Sequence, residues 1–452
     1  MKSRIKSGLC LTIVLLGVSH VSCLAAPAAR SALSGPVAYP STDSALPGGS
    51  LLGSGEIRIR PARESRTVLS LLSPCVIGMF MKLDTLDSIG YSAWREARRK
   101  DLVGVVTVPV LFSARLPEGG TERQSGMIYM PEARQGTPCA LTWVIFLHPA
   151  EISRDAVPSR GKGVEAPLMR LLAALGYAVW APDYAGMGDG AGVQEFCVPA
   201  SLAASALDGL AAARAWLAQA RIDGEPAYSE TGRYAIIGYS EGGNSALATL
   251  AAATNGSIPV AGLTLTAAYP MAGLLNLMSS FNTLPVYKVF FVVGWARAYP
   301  REIKPDEILL PGILKNVVPL FDGNHAQDEV ANMLVRTTGK KQGDVLDKDI
   351  FTPEYLAALR SDPVSVPYYR IQNAEGLGLV NLPSGVPIIL AAAPADTIIS
   401  FPQIEDYYQR QKSGSPAADV TLVPLSAGSH LLGAVEGLMY ALRDLDRRDA
   451  GR

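Results

Sequence analysis

The sequence predicts an α/β fold: a mostly parallel sheet flanked by helices, interrupted by one inserted and mainly helical segment. Three observations predict it. Short apolar runs, TWVIFL (142–147), YAVWAPD (177–183), YAIIG (234–238) and PVAGLTLTA (259–267), alternate with helical stretches. The alternation then stops for about a hundred residues, from 268 to 375, which are Pro-interrupted and rich in helix formers. It resumes with VPIILAAAP (386–394) and DVTLVPL (419–425). Strands covered by helices on both faces bury every side chain, so they read as unbroken apolar runs instead of alternating ones.

Taken in order, the chain opens with Lys2, Arg4 and Lys6, an apolar run from Leu9 to Val18, and the small-residue stretch Cys23 to Ala29. This is the layout of a secretory signal peptide over residues 1–25, with cleavage expected near Ala25 or Ala26 and a secreted or periplasmic product. Lipid attachment at Cys23 is the alternative, although His20 stands where an aliphatic residue is usual in a lipoprotein signal. The apolar run is too short to span a bilayer, so no stable membrane span is expected after cleavage. Residues 26–55, rich in Ala, Ser, Gly and Pro, read as a flexible leader.

The first part of the core is assigned to 56–267. Within it, LVGVVTVPVLFSARLP, a Gly-containing turn and SGMIYMP predict a hairpin at the start of the sheet. PLMRLLAALG (167–176), the Ala-rich Pro199–Ala220 and SALATLAAA predict helices between the apolar runs. Residues 268–375 are assigned to an inserted cap over the carboxyl edge of the sheet, where open α/β sheets place their sites. The second part of the core, 376–452, carries a helix over FPQIEDYYQRQ (401–411) and an amphipathic one over 431–445.

Composition excludes some classes. The 452 residues are 48% hydrophobic, enough for a large core, and 40 basic residues face 41 acidic ones. With no Lys/Arg-rich run, nothing in the chain tracks a phosphate backbone, so no nucleic-acid partner is expected. Of five cysteines, Cys75, Cys139 and Cys197 survive signal removal, which permits one disulfide or three buried thiols. Scattered cysteines and three mature histidines make no metal site, and no cofactor is expected.

The sharpest chemical signal is Gly238-Tyr239-Ser240-Glu241-Gly242-Gly243, a G-x-S-x-G motif with an apolar strand before it and an Ala-rich helix after it. A tight strand-to-helix turn needs small flanking residues and pushes the serine oxygen above the sheet. The Glu241 amide then points to the same space as an oxyanion donor, at the positive end of the helix. A serine needs a base. His148, His325 and His430 are available, and the chain order serine, acid, histidine selects His430, between the last strand and last helix. Asp396, directly after VPIILAAAP, is the acid that would hold the imidazole, with Asp362 and Glu405 in reserve. The second oxyanion donor belongs in FLHPAEIS; Pro149 has no amide hydrogen, so Ala150 or Glu151 must supply it. His148 reads as structural. Asp183-Tyr184-Ala-Gly186-Met-Gly188 is a Gly-rich loop under a pocket and no dinucleotide fingerprint, because the acid precedes the glycines.

In the order MIYMP, FLHPAEISRDAVPSR, LLAALGYAVWAPDYAGMGDG, GYSEGGNSALA, the chain resembles the secretory lipase branch of the α/β-hydrolases, over roughly Val103 to Leu445. The resemblance implies the α/β-hydrolase fold with a helical cap, carboxylic-ester hydrolysis, and Ser240, Asp396 and His430 in the triad roles. The chain departs from the pattern at His148-Pro149, where His-Gly is usual.

Between Gly242 and Tyr287 there is no charged residue. The stretch Ile258–Phe281 has the length of a membrane span, but Pro270 and its strand-like first half argue against one. A cap face of Leu, Met and Phe suits an acyl chain, and the same residues serve equally to pack the cap on the core. Tyr239, Tyr184, Met271 and Leu275 are the expected pocket residues. The expected substrate is a small-molecule or lipid ester. The alternatives are an exported serine peptidase of the same fold, with Glu302, Asp306 or Glu307 holding a free amine, and a binding protein impaired at the oxyanion loop.

Overall fold

The computed structural model describes residues 33–35, 46–136, 138–161, 165–275, 284–414 and 418–450. Residues 1–25, where a signal peptide is expected, lie outside them. The main sheet has ten strands: β1 (Leu51–Ser54), β2 (Arg58–Arg60), β3 (Val105–Arg115), β4 (Thr121–Pro131), β5 (Cys139–Leu147), β6 (Tyr177–Pro182), β7 (Tyr228–Tyr239), β8 (Thr264–Met271), β9 (Ile388–Ala392) and β10 (Val420–Pro424). Their spatial order is β10-β9-β8-β7-β5-β6-β4-β3-β1, with β2 also on β3. Strands β5 to β10 pair in parallel, while β1 to β4 form an antiparallel flank built on the expected hairpin. This is the α/β-hydrolase fold.

The helices that matter to the site are α1 (Ala62–Leu71), α2 (Tyr91–Arg98), α3 (Ala166–Ala174), α4 (Pro199–Leu217), α5 (Glu241–Asn255), α6 (Pro285–Ala298), α7 (Gln327–Thr338), α8 (Pro353–Ser361), α9 (Pro367–Ala374), α10 (Phe401–Ser413) and α11 (His430–Ala450). Both β6 and β9 are buried at every residue, the expected burial of strands sandwiched between helix layers. Trp180 on β6 shows how tightly the layers close. A methyl group at Gly126 on β4 or at Gly209 on α4 would come within 2.4 and 2.3 Å of its ring, so both positions admit only hydrogen.

Two expectations are corrected. Residues 26–55 are not wholly a flexible leader: Leu51–Ser54 pairs antiparallel with β3, Leu52 is buried, and Leu33–Ser34 pairs with Arg221–Ile222. A short edge strand needs few apolar side chains, because a neighbour's backbone supplies its hydrogen bonds, so Gly/Ser/Pro composition conceals it. The strand expected at 259–267 begins at Thr264 and runs to Met271, past the boundary at 267. Pro270 is admitted near its end, beside Gly238.

From α6 to α9 the described chain is helical apart from one isolated bridge, Leu309 to Phe351. It holds itself together through aromatic packing: Phe290 stacks on Phe196 at 4.4 Å and on Phe321 at 4.8 Å. Arg154 ties this layer to the core, donating to the carbonyls of Gly190, Gly192 and Asp322. Among the described residues no helix is long and apolar enough to cross a membrane. Cys75, Cys139 and Cys197 are free thiols, with Cys197 buried.

Candidate active site

The carboxyl ends of β5, β6, β7, β9 and β10 open on one edge of the sheet, and the chemistry-bearing residues follow those ends. Ser240 stands between β7 and α5 with φ +61° and ψ −121°, a conformation that few side chains adopt. The glycines around it are required by close approach. A methyl group at Gly238 would lie 1.9 Å from the Gly242 carbonyl oxygen, and one at Gly242 would lie 2.0 Å from the Leu147 carbonyl oxygen. The second contact presses the 148–151 loop against the serine turn. Glu241 opens α5, so its amide is among those a helix leaves without an internal partner.

The structure brings the three expected side chains together. His430 Nε2 lies 2.9 Å from Ser240 Oγ, and His430 Nδ1 lies 2.6 Å from Asp396 Oδ2. Asp396 Oδ1 accepts from the amides of Ile398 and Ile399 at 2.8 and 2.9 Å, which holds the carboxylate in one orientation. Its side chain is fully buried, while the imidazole keeps a small exposed edge. Tyr239 Oη donates to the His430 carbonyl at 2.8 Å, bracing the backbone that carries the imidazole. A buried carboxyl nearly two turns into α11 does the same for the preceding loop: Glu436 accepts from the Ser426 amide and hydroxyl and from the Ala427 amide.

Other expected residues fall elsewhere. Tyr184, with φ +70°, stacks on His148 at 4.2 Å and donates to its carbonyl. His148 is buried; desolvation pushes its imidazole down to about 4, so it is neutral and structural. Asp183 accepts from Ser125 Oγ and the Ser159 amide, and thereby organises the Gly-rich loop. Met271 is buried in β8, where its carbonyl accepts from the Ser240 amide. Leu275 is buried and its carbonyl accepts from Gly378. His325 pairs with Asp322. Glu302, Asp306 and Glu307 are exposed.

A cavity of about 100 Å³ lies beside Ser240 and His430. Among the described residues its walls are Phe146, Leu147, Pro149, Leu168, Tyr239, Leu431, Ala434, Val435, Leu438 and one carboxyl, Glu165. Of the expected pocket residues, Tyr239 lines it, while Tyr184, Met271 and Leu275 do not: the two strand-end residues and the stacked tyrosine are consumed by packing. Three acids crowd this region. Burial pushes Glu165 up to about 7. It pushes Glu241 up to about 8, despite hydrogen bonds from Gln194 and the Cys197 amide. Glu151 rises to about 9 through burial and through repulsion from Glu165 and Glu241.

Sequence reasoning missed Glu165, Glu436 and Arg154. Glu436 left a trace, because Leu432, Glu436 and Met439 share a helix face and an acid there needs partners. Glu165 left none, since an acid at a helix start is ordinary. Arg154 left none either, for its three acceptors are backbone carbonyls. Among the described residues no cluster of potential metal ligands occurs.

A serine raised above the carboxyl edge of such a sheet, hydrogen-bonded to a histidine, defines the class: an α/β-hydrolase. The chain belongs to the alpha/beta hydrolase family, whose model matches residues 144–435. No curated protein matches the chain in sequence. Among solved structures it is similar to the rice cell wall degrading esterase LipA from Xanthomonas oryzae, with a TM-score of 0.67 at 20% identity, covering 89% of this chain and 100% of that one. It is also similar to Candida antarctica lipase A in its closed state, with a TM-score of 0.58 at 14% identity, covering 91% of this chain and 84% of the other.

Proposed function

We propose that the protein is an exported serine hydrolase of carboxylic esters. The single observation that carries the reading is the hydrogen-bonded line from Asp396 through His430 to Ser240, at 2.6 and 2.9 Å. In this reading Ser240 Oγ attacks the ester carbonyl while His430 Nε2 takes its proton. The tetrahedral oxyanion is met by the Glu241 amide and by an amide of the 150–151 loop. The carbonyl carbon–oxygen bond to the alcohol breaks, and the alcohol leaves with the proton from His430. Water, deprotonated by the same imidazole, then splits the acyl-enzyme. Asp396 holds the imidazole in the working tautomer and stabilises its charged form. No cofactor takes part in these steps.

Ester chemistry is favoured because the solved relatives by fold include an esterase and a lipase, and because the cavity is walled by apolar side chains. The three acids of the peptidase reading, Glu302, Asp306 and Glu307, lie exposed. Export rests on the signal-peptide pattern of residues 1–25, and the division into core 56–267, cap 268–375 and core 376–452 is part of the same proposal.

The test is hydrolysis of p-nitrophenyl esters from acetate to palmitate, beside Ser240→Ala. The variant should lose on the order of 10⁴–10⁶ in turnover. The small cavity should place the maximum at the short-chain end. Appreciable hydrolysis by Ser240→Ala would remove the serine assignment.

A further inference from the structure

The cavity beside Ser240 contains one feature that hydrolysis of a plain acyl ester leaves unused. Glu165 lines it, is 3% exposed, and has both carboxyl oxygens buried with no partner among the described residues beyond its own backbone amide. Buried polar atoms are nearly always satisfied, and a carboxyl group can accept at both oxygens. Apart from Tyr239, Ser240 and His430, the rest of the described wall is apolar, with Phe146, Leu147, Leu168 and Val435 among it. Among the described residues, no lysine or arginine pairs with Glu165, Glu151 or Glu241. Among the described residues, a positive donor group is therefore what the cavity does not offer Glu165.

We propose that Glu165 is a specificity-determining residue that selects esters bearing a small ammonium group on the acyl side, over plain aliphatic esters of the same size. An ammonium brings three donors and a positive charge that favours the ionised form of Glu165, whereas a hydroxyl satisfies one oxygen and supplies no charge. Size agrees: about 100 Å³ is less than the 150 Å³ or so that holds benzene, and suits an acyl group of a few heavy atoms. The proposal rests on the ester-hydrolase reading above, with Ser240 and His430 lining the same cavity.

Three isosteric esters test it: ethyl butyrate, ethyl 3-hydroxypropanoate and β-alanine ethyl ester, whose acyl groups end in methyl, hydroxyl and ammonium. Hydrolysis is followed by proton release in a pH-stat, with wild type beside Glu165→Gln. The ratio of kcat/KM for the ammonium ester to that for the methyl ester should exceed one in wild type. It should fall about tenfold or more in Glu165→Gln, the scale of one charge-assisted hydrogen bond. Because no other described residue bonds to the Glu165 carboxyl, Glu165→Gln should fold, and thermal unfolding checks that it does.

A methyl preference in wild type, a hydroxyl ester preferred over the ammonium one, or a ratio unmoved by Glu165→Gln would each overturn the proposal. Failure of the hydrolase reading is distinguishable: wild type would then cleave none of the three esters and Ser240 would not react with a fluorophosphonate. Calorimetry of β-alanine ethyl ester and ethyl butyrate on the full chain carrying Ser240→Ala reads the cavity without turnover. Equal binding of the two overturns the proposal even in that case, and preferential binding of the ammonium ester supports it.

Discussion

At the scale of single residues, the site is governed by how burial treats charge. Glu241 sits next to Ser240 with Oε1 hydrogen-bonded and Oε2 buried without a partner among the described residues. Its carboxyl, pushed up to about 8, stays protonated in the fold at pH values where an unfolded chain has ionised it. Its contribution is therefore complete below about pH 4.5 and is lost as pH rises towards 8, on the order of 1 kcal/mol per pH unit while only the unfolded chain is charged. Glu241→Gln copies the protonated form. Its thermal stability relative to wild type should rise between pH 5 and pH 8, and unfolding curves at pH 5, 7 and 9 measure it. A constant difference across that range would mean that Glu241 is ionised in the fold.

The same scale shows what a sequence can and cannot carry. Ser240 is legible because its neighbours must be small, and the closeness of Gly238 and Gly242 to backbone oxygens is the reason. Asp396 and His430 are legible through chain order alone, since each directly follows a strand of a parallel sheet. Glu165 is not legible. Its isolation depends on which side chains surround it in space, and these come from β5, α3 and α11.

At the scale of elements, the loop between β10 and α11 must present His430 to within a fraction of an ångström. Glu436 performs this by accepting from Ser426 and Ala427, while the Tyr239 hydroxyl holds the His430 carbonyl. Gly433 leaves room for that tyrosine, as a methyl there would lie 2.5 Å from its oxygen. Glu436→Ala strands buried donors and should cost about 3 kcal/mol. In the proposed reaction it should lower kcat at least about tenfold with little change in KM, because the imidazole is misplaced while the cavity is intact. Urea unfolding and steady-state kinetics on p-nitrophenyl butyrate separate the two effects. An unchanged kcat in a destabilised variant would assign Glu436 to stability alone.

At the scale of the whole molecule, the N-terminal segment belongs to the architecture. Gly49 and Gly55 donate to the Ser113 and Pro109 carbonyls of β3, and Ser113 donates back to Ser50. The exported chain is expected to begin near Ala26, which leaves β1 in place. Deleting residues 26–55 as well should lower Tm on the order of 5 °C, from a few lost backbone hydrogen bonds and an uncovered sheet edge. A deletion with unchanged Tm would show that β1 adds nothing to stability.

The sequence by itself determined the class of fold and the order of the central elements. Buried parallel strands must be continuous apolar runs, and a tight strand–helix turn must be glycine-rich, so both are written locally. Tertiary structure alone decided the cavity and its charge. Met271 and Tyr184 were free to line a pocket until packing consumed them, the first buried in β8 and the second stacked on His148. Glu165 became a buried acid in the cavity beside Ser240 because, among the described residues, the elements that closed around it offer its carboxyl no side-chain donor. Desolvation and the lack of a partner are properties of an enclosure, and no local stretch of chain encodes an enclosure.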